Sequence, residues 1–272
     1  MNAMAASMTI VRPPLRFPDW DAMPNAFKRM VARLEAQADA TREAAARSGA
    51  DATVAIERLA MIPWHRYENE LQHPLSARWL QQGGGHRGAE VRDIVAEFEA
   101  YRDVRTTLSD GLTAADADGF LQALKSASQR LCPEGAGDFR STPIGLEPDV
   151  DGTVVRFGDW PQVPQRLREL FSDYRQSALP PTMKALSSMA VLLNIHPFAD
   201  GNGRCARALF NAAYSGDAIM AYVPLRAALE ASTAGFEMRL REAETNGNWA
   251  PIVTYLTTVL AVVADNHAAE LK

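Results

Sequence analysis

The sequence predicts a mainly α fold with one β-hairpin set on a helical body. Two observations carry this. Apolar residues recur at helical spacing along most of the chain, and a single stretch, residues 137 to 161, has a β-type pattern instead.

Taken in order, Phe27, Met30, Val31 and Leu34 mark the first long amphipathic helix. The run QQGGGHRG, residues 81 to 88, breaks the pattern before Val91, Ile94, Val95, Phe98 and Tyr101 mark a second. Thr113 with Asp116 reads as a capping-box variant ahead of another apolar run. Within residues 137 to 161 the segments RSTPI and TVVRF flank a turn rich in Pro, Asp and Gly, which predicts the hairpin. Helices follow over Val163 to Tyr174 and Thr182 to Ile195, then a loop forced by Pro197 and a Gly-Asn-Gly triplet, then a helix through RCARALFNAAY. The C-terminal run IVTYLTTVLAVVA is shorter than the ~20 residues that cross a bilayer and carries three threonines, so it reads as a buried helix. The organisation expected is a helical N-terminal region (1–110), a central unit (111–215) and C-terminal packing helices (216–272).

The chain has 272 residues, 47% hydrophobic and 22% charged, which is ordinary for a soluble globular protein. A formal net charge of -5 argues against a generic nucleic-acid binder, and no separate winged-helix segment suggests direct DNA binding. Cys132 and Cys205 are too few for a disulfide framework and lack metal-ligand spacing, and the N-terminal stretch has no apolar segment suited to a secretory signal. A cytoplasmic protein without a membrane partner is expected.

Chemistry concentrates in HPFADGNGRCAR, residues 196 to 207. Gly201 and Gly203 permit a backbone that exposes N–H groups at a helix N-terminus, where the dipole favours an anion. Arg204 and Arg207, three residues apart, can face one polyanion from one side of the helix. Asp200 is placed to hold Mg²⁺ against phosphate oxygens, and His196 to act as a general base. Phe198 reads as an apolar peg that fixes the loop. Each residue alone has an ordinary explanation as a turn, cap or solvated face, and the coincidence carries the weight. A P-loop is excluded because Arg204, not lysine, follows Gly203.

These twelve residues fill every fixed position of HxFx(D/E)GNGRxxR, and the chain resembles the Fic family over roughly residues 111 to 215. The resemblance implies a Fic fold and transfer of AMP from ATP to a Ser, Thr or Tyr hydroxyl of a protein, itself included, with Mg²⁺. His196 would deprotonate the hydroxyl. Asp200 would bind the metal; Gly201, Asn202 and Gly203 would hold the α- and β-phosphates, Arg204 the β side and Arg207 the γ-phosphate. The hairpin around Ile144 resembles the family's flap, which aligns the target segment. Many relatives restrain themselves with a helix bearing (S/T)xxxE(G/N), whose glutamate takes the second arginine. Thr53 and Glu57, in a helix of about 52–60, fit that spacing, although Arg58 stands where the family has Gly or Asn. Thr233 and Glu237 fit too; Glu57 is preferred because Ile56 precedes it and because Glu237 lies only a short helical stretch beyond the motif. Transfer of another nucleotide or phosphate group, removal of AMP, and a non-catalytic nucleotide-binding module are the alternatives; a homo-oligomer is compatible with all of them.

Overall fold

The computed structural model describes residues 9–48, 52–74, 90–135, 137–146, 154–216 and 218–269. Eleven α-helices are found among them. We number them α1 (Asn25–Ser48), α2 (Ala52–Ala60), α3 (Glu68–Leu71), α4 (Val91–Thr113), α5 (Ala117–Leu131), α6 (Val163–Gln176), α7 (Pro181–Ile195), α8 (Asn202–Ser215), α9 (Leu225–Ala231), α10 (Gly235–Asn246) and α11 (Ala250–Ala269). The periodic segments fall where expected. In α1 the residues Phe27, Val31 and Leu34 are buried, and in α4 Ile94, Phe98 and Tyr101 are, while Val91 stays exposed. The cap of α5 differs in detail from the expected box: Asp116 itself is the N-cap, its Oδ1 accepting from the Gly119 N–H at 2.9 Å, and Thr113 closes α4.

Helices α7 and α8 form the centre, and the motif loop joins them. Nearly every side chain of α7 from Thr182 to Ile195 is buried, so its C-terminal end is fixed from all sides. One continuous core cluster runs from Leu15 through α4, α5, α7 and α8 to Val263, crossing all three regions anticipated from the sequence. By length and composition α11 could cross a membrane, but here Ile252, Tyr255, Leu256, Val259, Leu260 and Val263 are buried, and α11 packs on α1.

The β structure departs from a simple hairpin. Strand β2 (Val154–Arg156) meets the preceding segment antiparallel at Gly145–Arg156, with Phe157 N donating to Ile144 O at 3.1 Å and Leu146 N to Val155 O at 2.8 Å. Its regular ladder lies on its other edge, with the parallel strand β1 (Thr9–Val11) in the register Thr9–Val154, Ile10–Val155 and Val11–Arg156. The turn at 147–153 and the break at 81–88 lie outside the described residues.

Candidate functional site

The motif loop leaves α7 at His196, whose backbone is left-handed (φ 52°) and whose N–H still bonds the Leu192 carbonyl at 2.9 Å. Buried Arg140, given no role from sequence, locks this turn. Its Nε donates to the His196 carbonyl at 2.9 Å and its N–H to the Pro197 carbonyl at 2.8 Å, while its other guanidinium nitrogens reach the Thr142 and Gly158 carbonyls on both arms of the flap. Phe198 is the buried peg expected, beside Phe139. Asn202 departs from its assigned role. Its side-chain oxygen accepts from the Phe198 N–H and its amide donates to the Phe198 carbonyl, both at 2.9 Å, so the side chain closes the loop.

Glycine is required at 201 on two counts. Its φ is +78°, and an added Cβ would stand 2.8 Å from Cys132 Cβ. The first backbone bond of α8 runs from Cys205 N to Gly201 O, leaving the N–H groups of Asn202, Gly203 and Arg204 without intrahelical acceptors at the positive end of the helix. These are the N–H groups to which the sequence reading assigns an anion. Arg204 is anchored through the Leu131 carbonyl at 2.9 Å and Cys132 Sγ at 3.0 Å, with Asp200 at 3.7 Å.

Asp200 is largely exposed, with one carboxylate oxygen on the Gly201 N–H. Among the described residues no group of three or more His, Cys, Asp or Glu could hold a metal. A lone exposed carboxylate beside a helix N-terminus fits Mg²⁺, which keeps water and substrate oxygens as most of its ligands.

His196 is half-buried and stacks on Phe157, ring centres 3.8 Å apart. Burial pushes its pKa down to about 4; a bond to the Leu193 carbonyl and the charge of Asp200 oppose that shift, and the guanidinium groups of Arg12 and Arg140 add to it. The imidazole is therefore neutral at pH 7, with one ring nitrogen bonded to the Leu193 carbonyl. His196, Gly203, Arg207, Phe157, Arg12 and Glu237 line one cavity of about 210 Å³. A second, of about 760 Å³, is lined by Arg204, Arg207, Arg226, Glu230 and Glu237.

Arg207 corrects the sequence reading. Its carboxylate partner is Glu97 of α4, with Nε to Oε1 and Nη2 to Oε2 both at 2.7 Å and the Glu97 side chain only 6% exposed. Burial works against the Arg207 charge, but the bonds and charge of Glu97 outweigh it and raise its pKa. Glu57 is exposed on α2, which packs on α4, and the side chain of Thr53 lies outside the described residues. A pair through the sequence-distant Glu97 has no spacing signature. Ile144 lies alongside β2, its carbonyl accepting from the Phe157 N–H just beyond that strand.

Residues 117–214 match the Fic/DOC family. A stretch of 130 residues is 29% identical to Protein adenylyltransferase Fic of Nematostella vectensis, and it makes up 45% of this chain and 28% of that protein, so the chain spans little more than a quarter of that relative's length. The fold is similar to a Fic family protein from Desulfovibrio desulfuricans G20 (TM-score 0.60, 18% identity, 93% of this chain and 76% of that one). It is also similar to a Fic domain containing signaling protein from Bacteroides thetaiotaomicron VPI-5482 (TM-score 0.53, 13% identity, 89% and 96%). A third is Fic-1, residues 134–508, from C. elegans (TM-score 0.51, 18% identity, 90% and 72%).

Proposed function

We propose that the protein transfers AMP from ATP to a Ser, Thr or Tyr hydroxyl of a protein target, a reading supported by the match of residues 117–214 to the Fic/DOC family. The observation that carries the proposal is the imidazole of His196, its pKa lowered by burial, in one cavity with Gly203 and Arg207. In that arrangement His196 takes the hydroxyl proton, the oxygen bonds to the α-phosphorus, the bond from α-phosphorus to the bridging oxygen breaks, and pyrophosphate leaves. The N–H groups at the start of α8 and the Arg204 guanidinium stabilise charge on the phosphates. Asp200 would hold Mg²⁺, which neutralises phosphate charge when bound.

The γ-phosphate needs the fork of Arg207 that Glu97 now fills. Charge-assisted bidentate pairs of this kind are short and directional, so Glu97 competes with the triphosphate for one donor set. Restraint of transfer in this chain is thereby assigned to Glu97 in place of Glu57.

Mass spectrometry of the parent protein and of Glu97→Gln and His196→Ala, each after incubation with Mg²⁺ and every nucleoside triphosphate in turn, tests the reading. An added AMP on Glu97→Gln that is absent from His196→Ala is expected. A different added group, or modification that survives in His196→Ala, overturns it.

A further inference from the structure

The N-terminal segment reaches the histidine through a chain of specific contacts. The β1–β2 ladder continues one bond further, from Arg12 N to Arg156 O at 2.9 Å. That register sets the Arg12 guanidinium over the Phe157 ring, 4.9 Å from its centre, and the same ring stacks on the His196 imidazole. Buried Glu244 anchors the guanidinium, accepting Arg12 Nε at 3.1 Å on Oε2 and a second, close contact from Nη2 on Oε1. Oε1 of Glu244 also accepts from Asn194 Nδ2 at 2.8 Å. Asn194, two residues before His196, donates to the Pro13 carbonyl at 3.0 Å and accepts from the Leu15 N–H at 3.0 Å. Residues 12 to 15 are thus tied to the last turn of the histidine's own helix by buried polar groups, which are costly to leave unpaired.

We propose that Arg12 is a positioning residue for His196: it clamps Phe157 against the imidazole and tethers β1 to the end of α7, which fixes the plane of the catalytic ring. This rests on the reading of His196 as the base. The ring needs such support because it follows the last helical residue at a left-handed backbone position and is otherwise oriented by one bond to the Leu193 carbonyl. A base displaced by ~1 Å loses up to about 100-fold in rate. Arg12 is also a wall of the cavity that His196 faces, so it limits water at the ring as well as its rotation.

The test compares Arg12→Ala, Arg12→Lys, Phe157→Leu and the double variant Arg12→Ala/Phe157→Leu in the full chain. The first readout is the NMR spectrum of histidine-labelled protein, with the His196 ring assigned by its loss in His196→Ala. Stacking on Phe157 displaces the ring resonances; Arg12→Ala should collapse the displacement as Phe157→Leu does, and Arg12→Lys should keep most of it. The second readout is automodification, with each variant placed in the Glu97→Gln background: kcat should fall about 10- to 100-fold with Arg12→Ala, with KM for ATP little changed, and the double variant should be no worse than Phe157→Leu alone. Unmoved His196 resonances in Arg12→Ala, or moved resonances with unchanged kcat, overturn the proposal. If Arg12→Ala fails to fold, Glu244→Gln takes its place, with a smaller displacement of the same sign expected and none overturning the idea. A Glu97→Gln protein that transfers nothing would fail the transferase reading alone, since the ring spectrum still decides whether Arg12 holds His196.

Discussion

His196 and Gly201 both occupy left-handed backbone positions within one short loop, the first with a side chain and the second without one. The histidine is half-buried with its pKa lowered, and the glycine brings a helix N-terminus against Cys132. Because the folded pKa of His196 is about 4, below the ordinary 6.5, its proton uptake on acidification favours the unfolded chain. Stability from this group is complete above pH ~6.5 and is lost as pH falls toward ~4, by no more than about 3 kcal/mol. The acid limb of transfer should accordingly have its midpoint near pH 4, measurable as kcat/KM against pH on a variant freed of Glu97; a midpoint between 6 and 7 would mean that the imidazole is hydrated during turnover. Gly201→Ala should destabilise by roughly 1–3 kcal/mol in a denaturant melt through the positive φ and the clash with Cys132 together. At this scale the sequence was most informative, because the loop's identities and spacing follow from local backbone chemistry. What escaped it was the division of labour inside the loop: nothing in the order of residues says that the Asn202 side chain closes on Phe198.

Among the elements, the long helices were legible and the short contacts between distant segments were not. Apolar periodicity over α1 and α4 is a local property that survives packing. Strand β1, three residues with no alternation to mark them, exists only because β2 offers it an edge from far along the chain. The flap hairpin was visible in its two β-type runs, but its second, parallel edge was not. Glu97 belongs to the same class: it lies on the buried face of α4, and only the packing of α4 on α8 brings it to Arg207. Glu57→Ala should therefore leave transfer unchanged, whereas Glu97→Gln should raise it several-fold while lowering stability by about 3 kcal/mol, since a buried guanidinium loses its counter-charge. Both are read side by side as labelled AMP incorporated, after thermal melts confirm folding. A gain confined to the Glu57 variant would return the restraint to α2.

For the molecule as a whole, the site is assembled from parts that lie outside the segment carrying the motif. Glu35 of α1 caps α7, its carboxylate accepting from the Thr182 N–H at 3.1 Å, the Thr182 hydroxyl at 2.7 Å and the Met183 N–H at 3.0 Å. Tyr214 near the end of α8 donates to the Ala38 carbonyl, Glu97 holds Arg207, and Arg12 reaches Phe157. Each of these partners precedes residue 111, and the apolar face of α7 and α8 is covered by α1, α4 and residues of the C-terminal helices in one core cluster. A fragment of residues 111–215 would expose that face, leave the first turn of α7 without its cap, and bury Arg207 without a counter-ion if it closed at all. The cap alone is worth ~1 kcal/mol, the lost Arg207 pair about 3–5 kcal/mol, and total domain stability is only about 5–15 kcal/mol. We therefore expect the fragment to show no cooperative thermal transition and no AMP incorporation under conditions where the full chain shows both. Glu35→Gln in the full chain should lower stability by roughly 1 kcal/mol with transfer retained at temperatures below the melt. A cooperatively melting, active 111–215 fragment would show that the motif's own segment holds the loop, and that the contacts from α1, α4 and β1 are additions to a site already formed.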